Sequence, residues 1–282
     1  MTTHIDSHQH FWNPATREYP WMPESLAQPF GPDDLAPLLQ ANGFQSCILV
    51  QTVSDVEETR EFLKIAGDHE FVAGVVGWVD LLDPNTPQAL ADLRSGPHGR
   101  YLVGIRHQVH DEDDPDWLLR DAVQTNLEAI ASNGLVYDLL VKTKELPAAI
   151  TVARDFPHLQ FVVDHIAKPP IATGELEPWA SLMREFAGLP NAACKLSGMV
   201  TEADTANWTV ADLVPYVATV VEIFGPERLM FGSDWPVCTL AATYEQVVDA
   251  ARQALDDIGV LNDASETAIF GGTAAHWYGL PR

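Results

Sequence analysis

Cysteine is scarce in this chain: three among 282 residues, an odd number. A disulfide framework is therefore not what holds the fold. Cys47 and Cys194 sit inside apolar runs and read as small core residues, and packing is also the expected role of Cys238. Basic residues are scarce too, 16 Lys and Arg against 40 Asp and Glu, for a net charge of −24. Such a surface repels phosphate backbones and anionic lipid, which argues against nucleic acid or a membrane surface as partner. No run is long and apolar enough to span a bilayer. The N-terminal MTTHIDSHQH lacks the basic-then-apolar order of a secretory leader, so the expected compartment is the cytoplasm. There is no linker or shift in composition, and a single domain over 1–282 is expected. Hydrophobic residues make up 46% of the chain, enough for one large core. Nothing in this composition fixes the oligomeric state, which leaves a homo-oligomer open.

What the chain does have is a repeated order of strand-like and helix-like runs. Apolar runs at about 4–10, 46–53, 71–80, 102–109, 135–141, 160–167, 192–199 and 228–237 read as strands. Between and after them lie helical patterns, including 33–43 with Asp33 as its expected cap, 116–134, 145–155, 177–187, 209–224, 243–258 and 264–276. The strands are continuously apolar rather than alternating, as expected when both faces are buried. Eight such units predict a (β/α)8 TIM barrel, with an open doubly wound sheet as the alternative. A stretch at about 12–32, with five prolines and several aromatics, reads as a lid-like loop.

Polar residues at the strand ends favour the barrel, because a barrel gathers its reactive groups there. His8 and His10 are two apart at the end of the first strand, and in regular extended backbone they share a face with Asp6. Asp6 is then expected behind the imidazoles. His165 and Asp234 end the sixth and eighth strands. Gln51, Trp78, Arg106, Tyr137 and Lys195 lie at or near the other ends. Imidazoles and a carboxylate converging on one spot suit Zn²⁺ or a shared water.

Each group has a plainer reading beside the chemical one. Arg106 offers five fixed donors to substrate hydroxyls or a carboxylate, or pairs with one of the many acids. His107 should point away from it. Lys195, sharing a face with Ser197, is a substrate donor or the partner of a buried carboxylate. Tyr137, Trp78, Trp12 and Trp235 stack on a sugar ring or anchor core and loop. Gln51 is a candidate donor to the ligand. His69, His98 and His158 are expected at the surface.

The ordered motifs DSHQHFW, GIRH, DHIAKP, CKLSG and GSDWPV resemble the amidohydrolase superfamily, in particular its sugar-acid lactonase branch. That resemblance implies a (β/α)8 barrel and a site at the strand C-termini. It implies His8, His10, His165 and Asp234 as ligands of one divalent ion, Zn²⁺ by preference, with Asp234 as general base and the histidines stabilising the oxyanion. Two-metal members carry a bridging Lys or Glu on strand four and a His on strand five. Here those strands offer Arg106 and His107, and Tyr137 and Asp138, which implies at most one ion per chain. Some relatives work without a metal, so the ion counts as dispensable until tested. The implied reaction is hydrolysis of a small-molecule sugar lactone. A decarboxylase of the same superfamily and a non-catalytic sugar-acid-binding barrel are the alternatives.

Overall fold

The computed structural model describes residues 3–280. Eight parallel strands follow one another around one sheet: β1 (Ile5–Gln9), β2 (Ser46–Val50), β3 (Val72–Gly77), β4 (Leu102–His107), β5 (Val136–Leu139), β6 (Phe161–Val163), β7 (Ala192–Leu196) and β8 (Leu229–Phe231). Beyond the strand tips the ring closes. The His10 N–H donates to Trp235 O at 2.8 Å, and the Asp234 N–H donates to His8 O at 2.8 Å. The fold is a (β/α)8 barrel.

The helices form where an apolar stripe meets the sheet. In Val56–Asp68 the Asp55 side chain accepts the Glu57 N–H and caps the first turn. Phe62, Leu63 and Ala66 then face inward, fully buried. Burying each of the two large side chains stabilises the fold by roughly 1.5–3 kcal/mol. Phe62→Ala is the single change that would most loosen this helix. The helix expected from Asp33 starts one residue earlier, at Pro32, because proline's preset φ suits the first helical position. Asp33 is not its cap. Gly31 is, and its N–H donates to Asp34 Oδ2 at 2.8 Å. The long pattern at 116–134 divides into a 3-10 turn, Trp117–Leu119, and a helix, Asp121–Ser132.

Two cores result. The larger lies between sheet and helices. The smaller fills the N-terminal part of the barrel with Ile5, Ile48, Val50, Val76, Val136, Val162, Ala193 and Met230. Ala274, Trp277, Tyr278 and Leu280 pack onto that end and close it. The other end stays polar. No helix among the described residues is long and apolar enough to cross a membrane.

Candidate active site

The inward positions of the strands change character within two residues. Gly104, Val136, Val162 and Ala193 are followed two places on by Arg106, Asp138, Asp164 and Lys195. Because the side-chain period of a strand is two, the second set stands directly above the first. Lys195 Nζ lies 2.6 Å from Asp138 Oδ2 and 3.0 Å from Asp164 Oδ1. Arg106 Nη1 donates to Asp164 Oδ2 at 2.9 Å, and its Nε donates to Gln51 Oε1 at 3.2 Å. The Tyr278 hydroxyl reaches up from the closed end to Asp138 at 2.9 Å.

These pairings set the charges. Burial raises the Asp164 carboxyl, but Lys195, His8 and Arg106 outweigh it and hold Asp164 well below the usual carboxylate range. Burial raises Asp138 more than Lys195 lowers it, the charge on Asp164 adds to this, and Asp138 stands at about 6. Breaking such a buried cluster by removing one partner is costly.

Above this layer lie the histidines. His8 Nε2 is 3.2 Å from His10 Nε2, and Asp234 Oδ1 lies 3.8, 3.4 and 3.9 Å from Nε2 of His8, His10 and His165. The outer nitrogens are tied back. His10 Nδ1–H donates to Val50 O at 2.8 Å, which turns Nε2 toward the centre. His165 Nδ1 meets Ser197 Oγ at 2.9 Å. Burial pushes His8 and His165 well below the usual imidazole range. Burial alone would raise Asp234, but the His165 and His10 rings facing it hold it below the usual range, and it is an anion.

The backbone that delivers these groups is unusual. β6 and β8 stop short of the expected 160–167 and 228–237. Residues His165 to Lys168 all have positive φ, as does Asp234 at 57°. Non-glycine residues in that region carry strain, typical of functional sites. Glycines make the room. A Cβ on Gly198 would lie 2.6 Å from His165 Nδ1, and one on Gly232 would lie 2.5 Å from the His8 Cβ.

A cavity of about 150 Å³ opens on this centre. His10, Arg106, His165 and Asp234 line it, together with Trp21 from the 12–32 loop and Thr52, Gln108, His110 and Lys168. The loop is pinned by the Trp21 Nε1–H, which donates to Thr52 O at 2.8 Å.

Several expected positions differ. Asp6 does not back the imidazoles: the register of β1 shifts between Asp6 and Gln9, which turns Asp6 outward. There it accepts from the Tyr244 hydroxyl at 3.0 Å and the Ser233 N–H at 2.9 Å. Tyr137 faces the outer core beside Phe161, and its strand neighbour Asp138 takes the inward place. Trp235 packs against Phe11 and Phe30 behind the strand tip. Trp78 donates to His107 Nδ1 at 3.0 Å, outside the cavity lining. Gln51 and Lys195 are fully buried and serve Arg106 and the two carboxylates rather than a ligand. Thr52, Gln108, His110 and Lys168 escaped the sequence reading because they follow the strand ends in loops without periodicity. His98 and His158 are exposed, and His69 is half-buried.

The family model described as amidohydrolase matches residues 5–280. The chain belongs to the amidohydrolase family. It is 41% identical over 288 residues to an L-fucono-1,5-lactonase of Burkholderia ambifaria, covering 100% of this chain and 97% of that protein. It is 38% identical over 290 residues to an L-fucono-1,5-lactonase of Burkholderia multivorans, covering 98% and 96%. A crystal structure of an amidohydrolase from Burkholderia multivorans with bound zinc superposes with a TM-score of 0.92 at 36% identity, over 99% of this chain and 100% of that one.

Proposed function

We propose that this amidohydrolase is a lactonase that opens the cyclic ester of a sugar lactone, L-fucono-1,5-lactone being the first substrate to try. The observation that carries the chemistry is the Asp234 carboxylate, anionic at the cavity base and facing three imidazoles. The full-length likeness to two L-fucono-1,5-lactonases carries the substrate class.

In this proposal Asp234 takes a proton from a water as its oxygen adds to the lactone carbonyl carbon. The carbonyl oxygen becomes an oxyanion, which needs positive charge or donors beside it. Arg106 lines the same cavity and is held rigidly by Gln51 and Asp164. Collapse of the tetrahedral species breaks the bond to the ring oxygen. The proton held by Asp234 balances the leaving alkoxide, and the sugar acid departs.

The donor set fits one divalent ion. Separations of 3.2, 3.4 and 3.8 Å among the facing atoms of His8, His10 and Asp234 bracket the edge of about 3.4 Å expected for tetrahedral Zn²⁺ with bonds near 2.1 Å, and His165 Nε2 stands 3.9 Å from the same Asp234 oxygen. When bound, such an ion supplies Lewis-acid polarisation of the carbonyl. The other group of facing donors, His8, Asp164 and His165, shares His8 with the first, and its Asp164 is engaged by Lys195 and Arg106, so among the described residues a second ion has no donor set of its own. Arg106 Nη1 also lies 3.2 Å from His8 Nε2 and places a fixed positive charge at the same centre. The proposal therefore holds the ion to at most one per chain and does not require it. The buried free thiols of Cys47, Cys194 and Cys238 support a reducing compartment, the cytoplasm.

A panel of aldonolactones followed with a pH indicator tests the reading. Acid release well above the buffer rate is expected for at least one. Release of CO₂ from an aromatic acid, with no lactone turnover, would assign the site to a lyase instead. Metal analysis before and after chelation, with activity on both samples, tests the ion. Two ions per chain would contradict the proposal.

A further inference from the structure

β6 ends in a turn that L-residues resist. His165, Ile166, Ala167 and Lys168 follow one another at φ of 53, 48, 59 and 46°. In that region Cβ is pressed against the following carbonyl, so four such residues in a row persist only where the surroundings hold them. Here they do. Ile166 and Ala167 are fully buried, the Trp179 Nε1–H donates to Ile166 O at 2.8 Å, and the Lys168 N–H donates to His165 O at 2.8 Å. The side chains at the two ends of the turn are both tied to the segment after β7. His165 Nδ1 meets Ser197 Oγ, and Lys168 Nζ donates to Glu202 Oε1 on the helical turn Met199–Glu202.

What the strained turn achieves is placement. It sets Lys168 in the wall of the cavity that His165 and Asp234 also line. The Lys168 side chain is 18% exposed, so a bound molecule can reach it. Its charge is felt within the lining: after burial, Lys168 is the largest influence pushing His110 down to about 3. Arg106, the other cation of the lining, is 3% exposed and held by Gln51 and Asp164. An ammonium has three N–H donors. One of those on Lys168 serves Glu202, and the other two have no acceptor among the described residues.

We propose that Lys168 is a substrate-binding residue, whose two free N–H groups donate to ring hydroxyl oxygens of the lactone, with Glu202 as its positioning partner. The inference rests on the lactonase reading and narrows it to polyhydroxylated lactones. A lactone without such a hydroxyl leaves the ammonium short of an acceptor in a cavity that the substrate has emptied of water. A site that hydrogen-bonds a substrate hydroxyl rejects the analogue lacking it.

Kinetics with the parent sugar lactone and its monodeoxy analogues separate this role from that of a plain ion pair. In the wild type, at least one monodeoxy lactone should lose tenfold or more in kcat/KM. Lys168→Met should raise KM for the parent tenfold or more, as loss of a binding contact does, and should treat that analogue and the parent alike within about twofold. Glu202→Gln breaks the same ion pair but keeps the ammonium, so it should raise KM less and retain the discrimination. Lys168→Gln repeats the comparison if the methionine variant does not fold, with circular dichroism as the check. Equal kinetics in Lys168→Met and Glu202→Gln with the discrimination intact, or wild-type protein indifferent to every monodeoxy lactone, would overturn the assignment while leaving the lactonase reading intact. Wild-type protein that opens no lactone would overturn both.

Discussion

The two ends of the barrel interior are made from the same strands and do opposite things. At the N-terminal end the inward side chains are Ile5, Ile48, Val76, Val136, Val162, Ala193 and Met230, closed off by Trp277 and Leu280. Two residues further along, the inward places hold Arg106, Asp138, Asp164 and Lys195, with His8, His10, His165 and Asp234 above them. The apolar end lowers free energy by removing surface from water and asks only for volume and shape. The charged end raises it unless every group finds a partner. Tyr278 joins the two, with its ring in the apolar layer and its hydroxyl on Asp138. The lower end is scaffold, and the upper end spends stability on chemistry.

Removing the ammonium should break that contrast most. Lys195→Met leaves Asp138 and Asp164 buried without their shared cation and should cost about 3–5 kcal/mol, read from urea denaturation. Replacing Asp138 by Leu in the same protein should recover part of the loss, since the carboxyl left without a cation is then gone while Asp164 keeps Arg106. Next in size is Asp234→Asn, which spares the scaffold. It should unfold as the wild type does and yet lose at least ~10²-fold in kcat, about 2.7 kcal/mol of barrier. Tyr278→Phe, at the seam, should cost about 1.5 kcal/mol of stability, the scale of a hydrogen bond to a charged group.

A pH-dependent effect sharpens the comparison from outside the barrel. Glu58 is as buried as Asp164 but has hydroxyl and amide donors where Asp164 has an ammonium and a guanidinium. Burial pushes it up to about 7 from an ordinary 4.5. The folded state thus holds a proton on Glu58 that the unfolded chain releases. The stability this contributes is complete below about pH 4.5 and is lost as pH rises to about 7. Glu58→Gln should remove that slope, so wild type should lose stability relative to the variant between pH 5 and 7, measured by urea unfolding at each pH. Parallel curves would contradict it.

Much of this was legible in the chain. Continuous apolar runs alternating with helical patterns gave eight strands and a barrel, because burial on both faces leaves that signature. His8, His10, His165 and Asp234 were legible as strand-end polar residues. What escaped was orientation. The register shift in β1 turns Asp6 outward, and nothing in HIDSHQH signals it, since a bulge changes the face without changing the letters. Tyr137 and Asp138 are neighbours, and which one faces in depends on the register with β4 and β6. The left-handed turn at His165 to Lys168 reads as strand because Ile166 and Ala167 prolong the apolar run. Loop residues such as His110 carry no period at all.

The central claim is that a water activated by Asp234 attacks the lactone carbonyl. Hydrolysis of L-fucono-1,5-lactone in ¹⁸O-water tests it most directly, with the product analysed by mass spectrometry after brief turnover. The account predicts enzyme-accelerated incorporation of one ¹⁸O into the carboxylate, none into the hydroxyl freed from the ring, and a rate at least ~10²-fold lower with Asp234→Asn. Label in the freed hydroxyl, or an Asp234→Asn rate equal to that of the wild type, would contradict it.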